Sequence, residues 1–184
     1  QTGYLTLRSS LNDSNIIALG IPNGEIYKAL NKLLAAKFFK GTIDVTNDAN
    51  ENILDVGSVE DIISLLNTMV NTVTYDAYPL NSESSVQNYV KAYLLGAKQN
   101  VFSEIHQAKG RADLMIETNK RRIVIEFKYA KDETEAKAKL SEAIEQIKSR
   151  DYGNILPKKA ELLRIAAVFN ADPKVRAFTL SQQV

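Results

Sequence analysis

Residues 110–130 read GRADLMIETNKRRIVIEFKYA. Two runs rich in apolar and β-branched residues, ADLMIET and RRIVIEFKYA, flank a polar tip at Asn119 and Lys120, the pattern of a hairpin with a two-residue turn. That turn sets Asp113 opposite Glu126. Strand alternation then places Val124 and Lys128 on the face they share, and Leu114, Ile116, Ile123, Ile125 and Phe127 on the other. One face is wholly apolar, while the opposite face gathers two acids and a lysine. Facing carboxylates repel by up to about 1 kcal/mol in solvent, and by more when partly buried, so something positive belongs between them. A hard dication such as magnesium satisfies both acids and leaves room for a phosphate oxygen. Lys128 is placed to steady charge on a phosphate, or to orient and help deprotonate an attacking water. The structural alternative is that Lys128 and Arg111 form salt bridges with the acids at a sheet edge, and the pattern alone leaves both open.

Outward from this hairpin, VFSEIHQ (101–107) reads as a strand before it, and SESSVQNYVKAYLLGA (82–97) as a helix with Val86, Tyr89, Val90, Tyr93 and Leu94 along one side and Gly96 closing it. After it comes DETEAKAKLSEAIEQIKSR (132–150), an amphipathic helix carrying Leu140, Ala143, Ile144 and Ile147. LLRIAAVFNA (162–171) is continuous enough in apolar residues to be a strand buried on both faces, and VRAFTLSQ (175–182) is a last strand. The order α-β-β-β-α-β-β predicts an α/β fold: an antiparallel meander, then a helical crossover into a parallel strand, which should be right-handed. Upstream, residues 3–21 predict a hairpin, and 22–39 a helix with Ile26, Leu30, Leu33 and Leu34 in phase. DVTNDANENI (44–53) reads as a loop, and 58–75 as a helix with Ser58 as N-cap and Glu60 and Asp61 in the first turn. DAYPLN (76–81) is the strongest internal boundary, dividing an extension over 1–80 from a domain over 81–184.

The totals narrow the chemistry. A chain of 184 residues, 45% apolar and 24% charged, suits a soluble globular protein. Without cysteine there is no disulfide, no thiolate nucleophile and no cysteine zinc site, and one histidine, His106, rules out the usual histidine cages. Any metal must sit on oxygen ligands, which favours magnesium or manganese. No run approaches the roughly 20 apolar residues of a membrane span and no signal sequence is evident, so no membrane partner is expected and the cytoplasm is the default location. Residues 1–80 carry 5 Lys/Arg against 9 Asp/Glu, and residues 81–184 carry 18 against 13, which makes the second part the better partner for a polyanion. The start at Gln1, without a methionine, suggests a piece of a longer protein.

The spacing of Asp113 from Glu126-Phe127-Lys128, within this order of elements, resembles the PD-(D/E)XK nuclease superfamily, whose fold is restriction-endonuclease-like. GRADLMIE (110–117), IVIEFKY (123–129) and EAIEQIKSRDY (142–152) are similar to a bacterial group in which this domain follows an AAA-ATPase-like domain, and QTGYLTL (1–7) and LGIPN (19–23) are similar to the segment joining the two. The resemblance implies a nuclease acting on nucleic acid, DNA before RNA, with Mg2+ or Mn2+ as cofactor and an AAA-ATPase-like domain in the same full-length chain. It implies Asp113 and Glu126 as metal ligands, Glu83 as a third acidic ligand, Lys128 as the catalytic lysine, and Gln146, with Tyr152 beyond it, as a polar position on the crossover helix. Ala112 stands where the family's proline would be, and Gln87 where the group often has a histidine. A homo-oligomer stays open. So does a non-catalytic module that binds nucleic acid or a partner and reports to the ATPase, or a plain interaction surface with residues 1–80 docking.

Four further groups have two readings each. Glu104 and His106 share a face of the first strand and either border the pocket or are structural. NKRR at 119–122 either touches a nucleic-acid backbone or is a solvated hairpin tip. Tyr89 and Tyr93 are core aromatics or base-stacking groups. Glu83 also reads as a first-turn acid complementing the helix dipole.

Overall fold

The computed structural model describes residues 5–10, 17–26, 29–30, 33, 48–73, 78–96, 100–107, 110–155, 157–159 and 161–184. A hairpin of β1 (Thr6–Ser10) and β2 (Ile17–Gly20) comes first, antiparallel with a register shift between Leu7 and Ser9. Residues 24–26 are helical, and the Asn23 side chain accepts from the Ile26 N–H at 3.0 Å, a helix N-terminus where one was expected. Leu34 and most of the rest of that expected helix lie outside the described residues.

Two helices follow, α1 (Asp48–Val56) and α2 (Val59–Asn71). The first corrects the loop expected over 44–53. Its Asn- and Asp-rich sequence is a poor helix former, and tertiary contacts override that preference. Leu54 is buried in the core, and Arg121 reaches across from the sheet to hold the last carbonyls of the helix: Nε donates to Leu54 O at 2.8 Å, and an Nη donates to Ile53 O at 3.0 Å and Gly57 O at 2.7 Å. In α2, Ser58 is the N-cap as expected, and Asp61 completes a capping box, its carboxylate accepting from Ser58 N–H at 2.8 Å.

The remainder is α3 (Glu83–Gly96), β3 (Asn100–Gln107), β4 (Gly110–Glu117), β5 (Arg121–Ala130), α4 (Glu133–Arg150), β6 (Glu161–Asn170) and β7 (Ala177–Gln183). The five strands form one sheet in the order β3-β4-β5-β6-β7. β3, β4 and β5 form an antiparallel meander, β6 joins β5 in parallel after α4, and β7 closes the sheet antiparallel. This is the expected α-β-β-β-α-β-β order, a mixed sheet flanked by helices and consistent with a restriction-endonuclease-like fold.

The sheet separates two apolar layers. Leu114, Ile116, Ile123, Ile125 and Phe127 face Ile62, Leu66 and Met69 of α2 and Val86, Tyr89, Val90 and Leu94 of α3 in a single core. Tyr89 and Tyr93 are therefore core aromatics, and Tyr89 donates to Met69 O at 3.0 Å. On the other face, Ala143 and Ile147 of α4 cover Val124 and Ala166 together with Tyr152. α2 is also tied to β7, because the Asn67 side chain accepts from Phe178 N at 2.7 Å and donates to Phe178 O at 3.1 Å.

The basic run at the hairpin tip is split: the solvated reading holds for its first two residues, and neither reading holds for its last two. Asn119 and Lys120 are exposed, but Arg121 and Arg122 are buried. Arg122 donates to Gly153 O, Ile155 O and Pro157 O at 2.8–3.0 Å, and also binds Glu117, so it fastens the loop after α4 to the sheet. Neither guanidinium is offered to solvent.

Candidate metal centre

The hairpin register is the expected one, with Leu114↔Ile125, Met115↔Val124, Ile116↔Ile123 and Glu117↔Arg122 paired. The ladder stops there, so Asp113 is not paired across from Glu126 as expected, although β5 continues to Ala130 and stays paired with β6 throughout. Beyond Ile125, the N–H groups of β5 on the β4 side need other acceptors. Asp113 supplies one: its Oδ2 accepts from Phe127 N at 2.9 Å. Glu83, the first residue of α3, supplies the next, accepting from the backbone of Tyr129. Two carboxylates thus replace strand pairing at the point where β4 and β5 part, and the same bonds hold them beside Glu126 and Lys128.

Glu126 and Lys128 point to the face opposite the main core, as alternation required. Lys128 Nζ lies 3.0 Å from Glu126 Oε1 and 3.9 Å from Glu83 Oε1. Glu126 is fully buried, and its second oxygen, Oε2, has no hydrogen-bond partner. Burial pushes the Glu126 carboxyl up to about 7, and the nearby Asp113 charge adds to that against the opposing pull of Lys128. Glu83 is also raised, by burial first, with Lys128 opposing and Asp113 reinforcing. Burial works to lower Lys128, but the charge and hydrogen bond of Glu126, with Glu83 and Asp113 behind it, outweigh it and leave the ammonium above its ordinary value.

This is a buried negative well. An unpaired carboxylate oxygen out of water is costly, and a second acid beside it makes the cost larger. The donor set, three carboxylates and no nitrogen or sulfur ligand, suits a hard dication, and the orphaned Oε2 is an oxygen such an ion would satisfy. Among the described residues no three acids converge tightly enough to cage an ion, and the Lys128 ammonium contacts both Glu126 and Glu83.

The remaining expected positions fall differently. Gln146 on α4 donates to the Tyr152 hydroxyl at 3.3 Å, and Arg150 donates to the same oxygen at 3.1 Å, so the glutamine is joined to the turn after its own helix. The side chains of Glu104, His106 and Arg111 lie outside the described residues. Two residues that the sequence reading passed over act on the cluster electrostatically: Glu142 on Glu83, and Lys128 on both Glu142 and its ion-pair partner Lys139. Both sit one or two helical turns before Gln146, a phase that would have singled them out.

A five-strand mixed sheet flanked by helices, with acids and a lysine where its central strands diverge, is consistent with the restriction-endonuclease-like class of fold. A protein-family model described as the PD-(D/E)XK nuclease superfamily matches residues 81–178, more than half of the chain, and the chain belongs to that superfamily. The family is one of nucleases, which act on nucleic acid and generally use divalent metals. No curated protein matches the chain. Among the described residues no helix is long and apolar enough to cross a membrane.

Proposed function

We propose that the chain is a nuclease that hydrolyses phosphodiester bonds of DNA with magnesium or manganese. Glu83, Asp113 and Glu126 hold the ion, which when bound neutralises charge on the phosphate and activates water. The chain's own groups do the rest. The Phe127 and Tyr129 N–H groups orient Asp113 and Glu83. Lys128 stays protonated among its acids, so it serves as a donor to a phosphate oxygen or to the attacking water rather than as a base. Gln146 enters the site through the family resemblance, its amide donating to the Tyr152 hydroxyl in the turn after the crossover helix. The observation that carries this reading is the fully buried Glu126, with one oxygen unpartnered and the other on Lys128.

Residues 81–184 would form the nuclease unit, with 1–80 leading to an AAA-ATPase-like domain of the full-length protein, a link supported by the likeness of residues 1–7 and 19–23 to a joining segment. A second reading, an inactive module that binds nucleic acid and regulates that ATPase, is favoured by the ammonium in contact with both Glu126 and Glu83. Manganese titration by calorimetry, beside cleavage assays on duplex DNA and on RNA, separates the two. The nuclease reading requires a heat signal and DNA cleavage, both lost in Asp113→Asn. Wild-type protein that binds no manganese and cuts neither substrate refutes it.

A further inference from the structure

Helix α4 packs on the sheet through Ala136, Ala143 and Ile147, all buried. At 100° per residue, that inward face leaves Glu135, Lys139, Glu142, Gln146 and Arg150 together along one flank, with Glu135 at its N-terminal end. Two observations identify the flank. Gln146 and Arg150 meet at the hydroxyl of Tyr152, so both turn the same way. Leu140, on the other side of the inward face, packs with Leu180 of β7 on the cluster of Ala130, Ala136 and Val168, and Lys128 pairs with Val168, so the Lys139 and Glu142 flank turns away from β7 toward the acids beside β5. The opposite flank carries Lys148, which is exposed.

Glu83, Asp113 and Glu126 outnumber Lys128, and Glu142 adds a further negative charge near Glu83. A polyanion approaching such a surface is repelled unless cations stand along its path. Lys139 is placed to supply one. In this structure its Nζ is held by Glu142 Oε2 at 2.8 Å, and both side chains are substantially exposed, at 33% and 52%. An exposed pair of this kind is weak and exchanges readily for a phosphate oxygen.

We infer that this flank of α4 is the track for the sugar-phosphate backbone of the nucleic acid, with Lys139 contacting a phosphate next to the one cleaved and Glu142 acting as the internal anion that the phosphate displaces. The inference rests on the nuclease reading for its placement beside the cleavage centre. From Lys139 to Arg150 the track runs about 16 Å, at about 1.5 Å per residue, the axial length of about five nucleotides of one B-form strand. Lys139 and Glu142 act on binding and position; neither is assigned to the chemical step.

The test is fluorescence anisotropy of a labelled DNA duplex in EDTA across a series of potassium chloride concentrations, with thermal melts to verify folding. Lys139→Ala should weaken binding several-fold at low salt and reduce the slope of log K against log salt by about 0.9, the loss of one phosphate contact. Glu142→Gln should tighten binding, because it removes the competitor and a like charge. Lys148→Ala should change neither. An unchanged slope in Lys139→Ala, weaker binding in Glu142→Gln, or no duplex binding by the wild type overturns the inference. Because this series contains no metal, it is read separately from cleavage. Loss of the nuclease reading shows in the manganese and cleavage assays, whereas loss of the track shows as an unmoved salt slope in a protein that still cuts DNA with manganese.

Discussion

Replacing Glu126 with glutamine should abolish activity and at the same time stabilise the metal-free protein, with a pH dependence set by the burial of that carboxyl. The folded-state value is raised from the ordinary 4.5 to about 7. A raised carboxyl binds its proton more tightly in the folded state, so the stability it contributes is fully present below about 4.5 and is lost as pH climbs through about 7. At about 1.4 kcal/mol per pH unit, ionising Glu126 in place opposes folding by about 3 kcal/mol at pH 8. Glutamine keeps the shape and never ionises. Its gain falls short of the full figure because Lys128 keeps an amide oxygen to donate to but loses the carboxylate charge it pairs with at 3.0 Å. A net gain of about 1–3 kcal/mol, or roughly 3–10 °C in a protein of this size, should appear near pH 8 in EDTA and shrink toward zero near pH 5. Urea or thermal unfolding at the two pH values measures this directly. With manganese present the order should reverse, since only the wild type gains the ligand's stabilisation. A Glu126→Gln protein that is less stable than wild type at pH 8 without metal, or whose stability difference is the same at both pH values, would refute the picture of a strained buried carboxylate.

Three further outcomes follow from the architecture. Arg121→Ala leaves the carbonyls of Leu54 and Gly57 without their guanidinium donor and should lower stability by about 3 kcal/mol, with amide exchange rising first in α1; exchange that rises evenly across the chain would argue against the capping role. Gly153→Ala forces a side chain onto a residue at φ +83° and places Cβ 2.7 Å from both Leu162 and Val124, so a loss of about 2–4 kcal/mol in the unfolding free energy from urea titration is expected, and a loss under about 0.5 kcal/mol would contradict the packing. A chain begun at Ser82 loses Leu54, Ile62, Leu66 and Met69, each at most 1% exposed, and with them roughly 6–12 kcal/mol of burial, as much as a typical domain's entire stability. It should bind a hydrophobic dye and unfold without a cooperative transition, and a sharp melt would show that the sheet does not need α1 and α2.

The element order over 82–184 was legible because each element carries its own local period. Continuous apolar character marked β6 as a central strand, and Gly96, Ser58 and the polar Asn119-Lys120 tip marked ends and turns. The helix at 48–56 was not legible, since its reasons lie elsewhere in the chain: Leu54 is apolar in isolation, but the donor that holds the helix end comes from Arg121, more than sixty residues later. Arg121 and Arg122 misled for the same reason, because a charged residue beside a turn is usually solvated and only the folded chain shows the carbonyls that draw both side chains inward.

From its amino acids alone, the hairpin at 110–130 determined that Glu126 and Lys128 share one side of a sheet and that Asp113 comes beside them, because side chains alternate with a period of two along a regular strand. Tertiary structure decided what that side became. The parting of β4 from β5 after Leu114 and Ile125, the arrival of Glu83 at Lys128, the burial that leaves one Glu126 oxygen unpaired and the approach of Lys139 and Glu142 all depend on how separate elements meet. Local period sets the direction of a side chain, whereas its distance from a group on another element is set only when the helices close over the sheet.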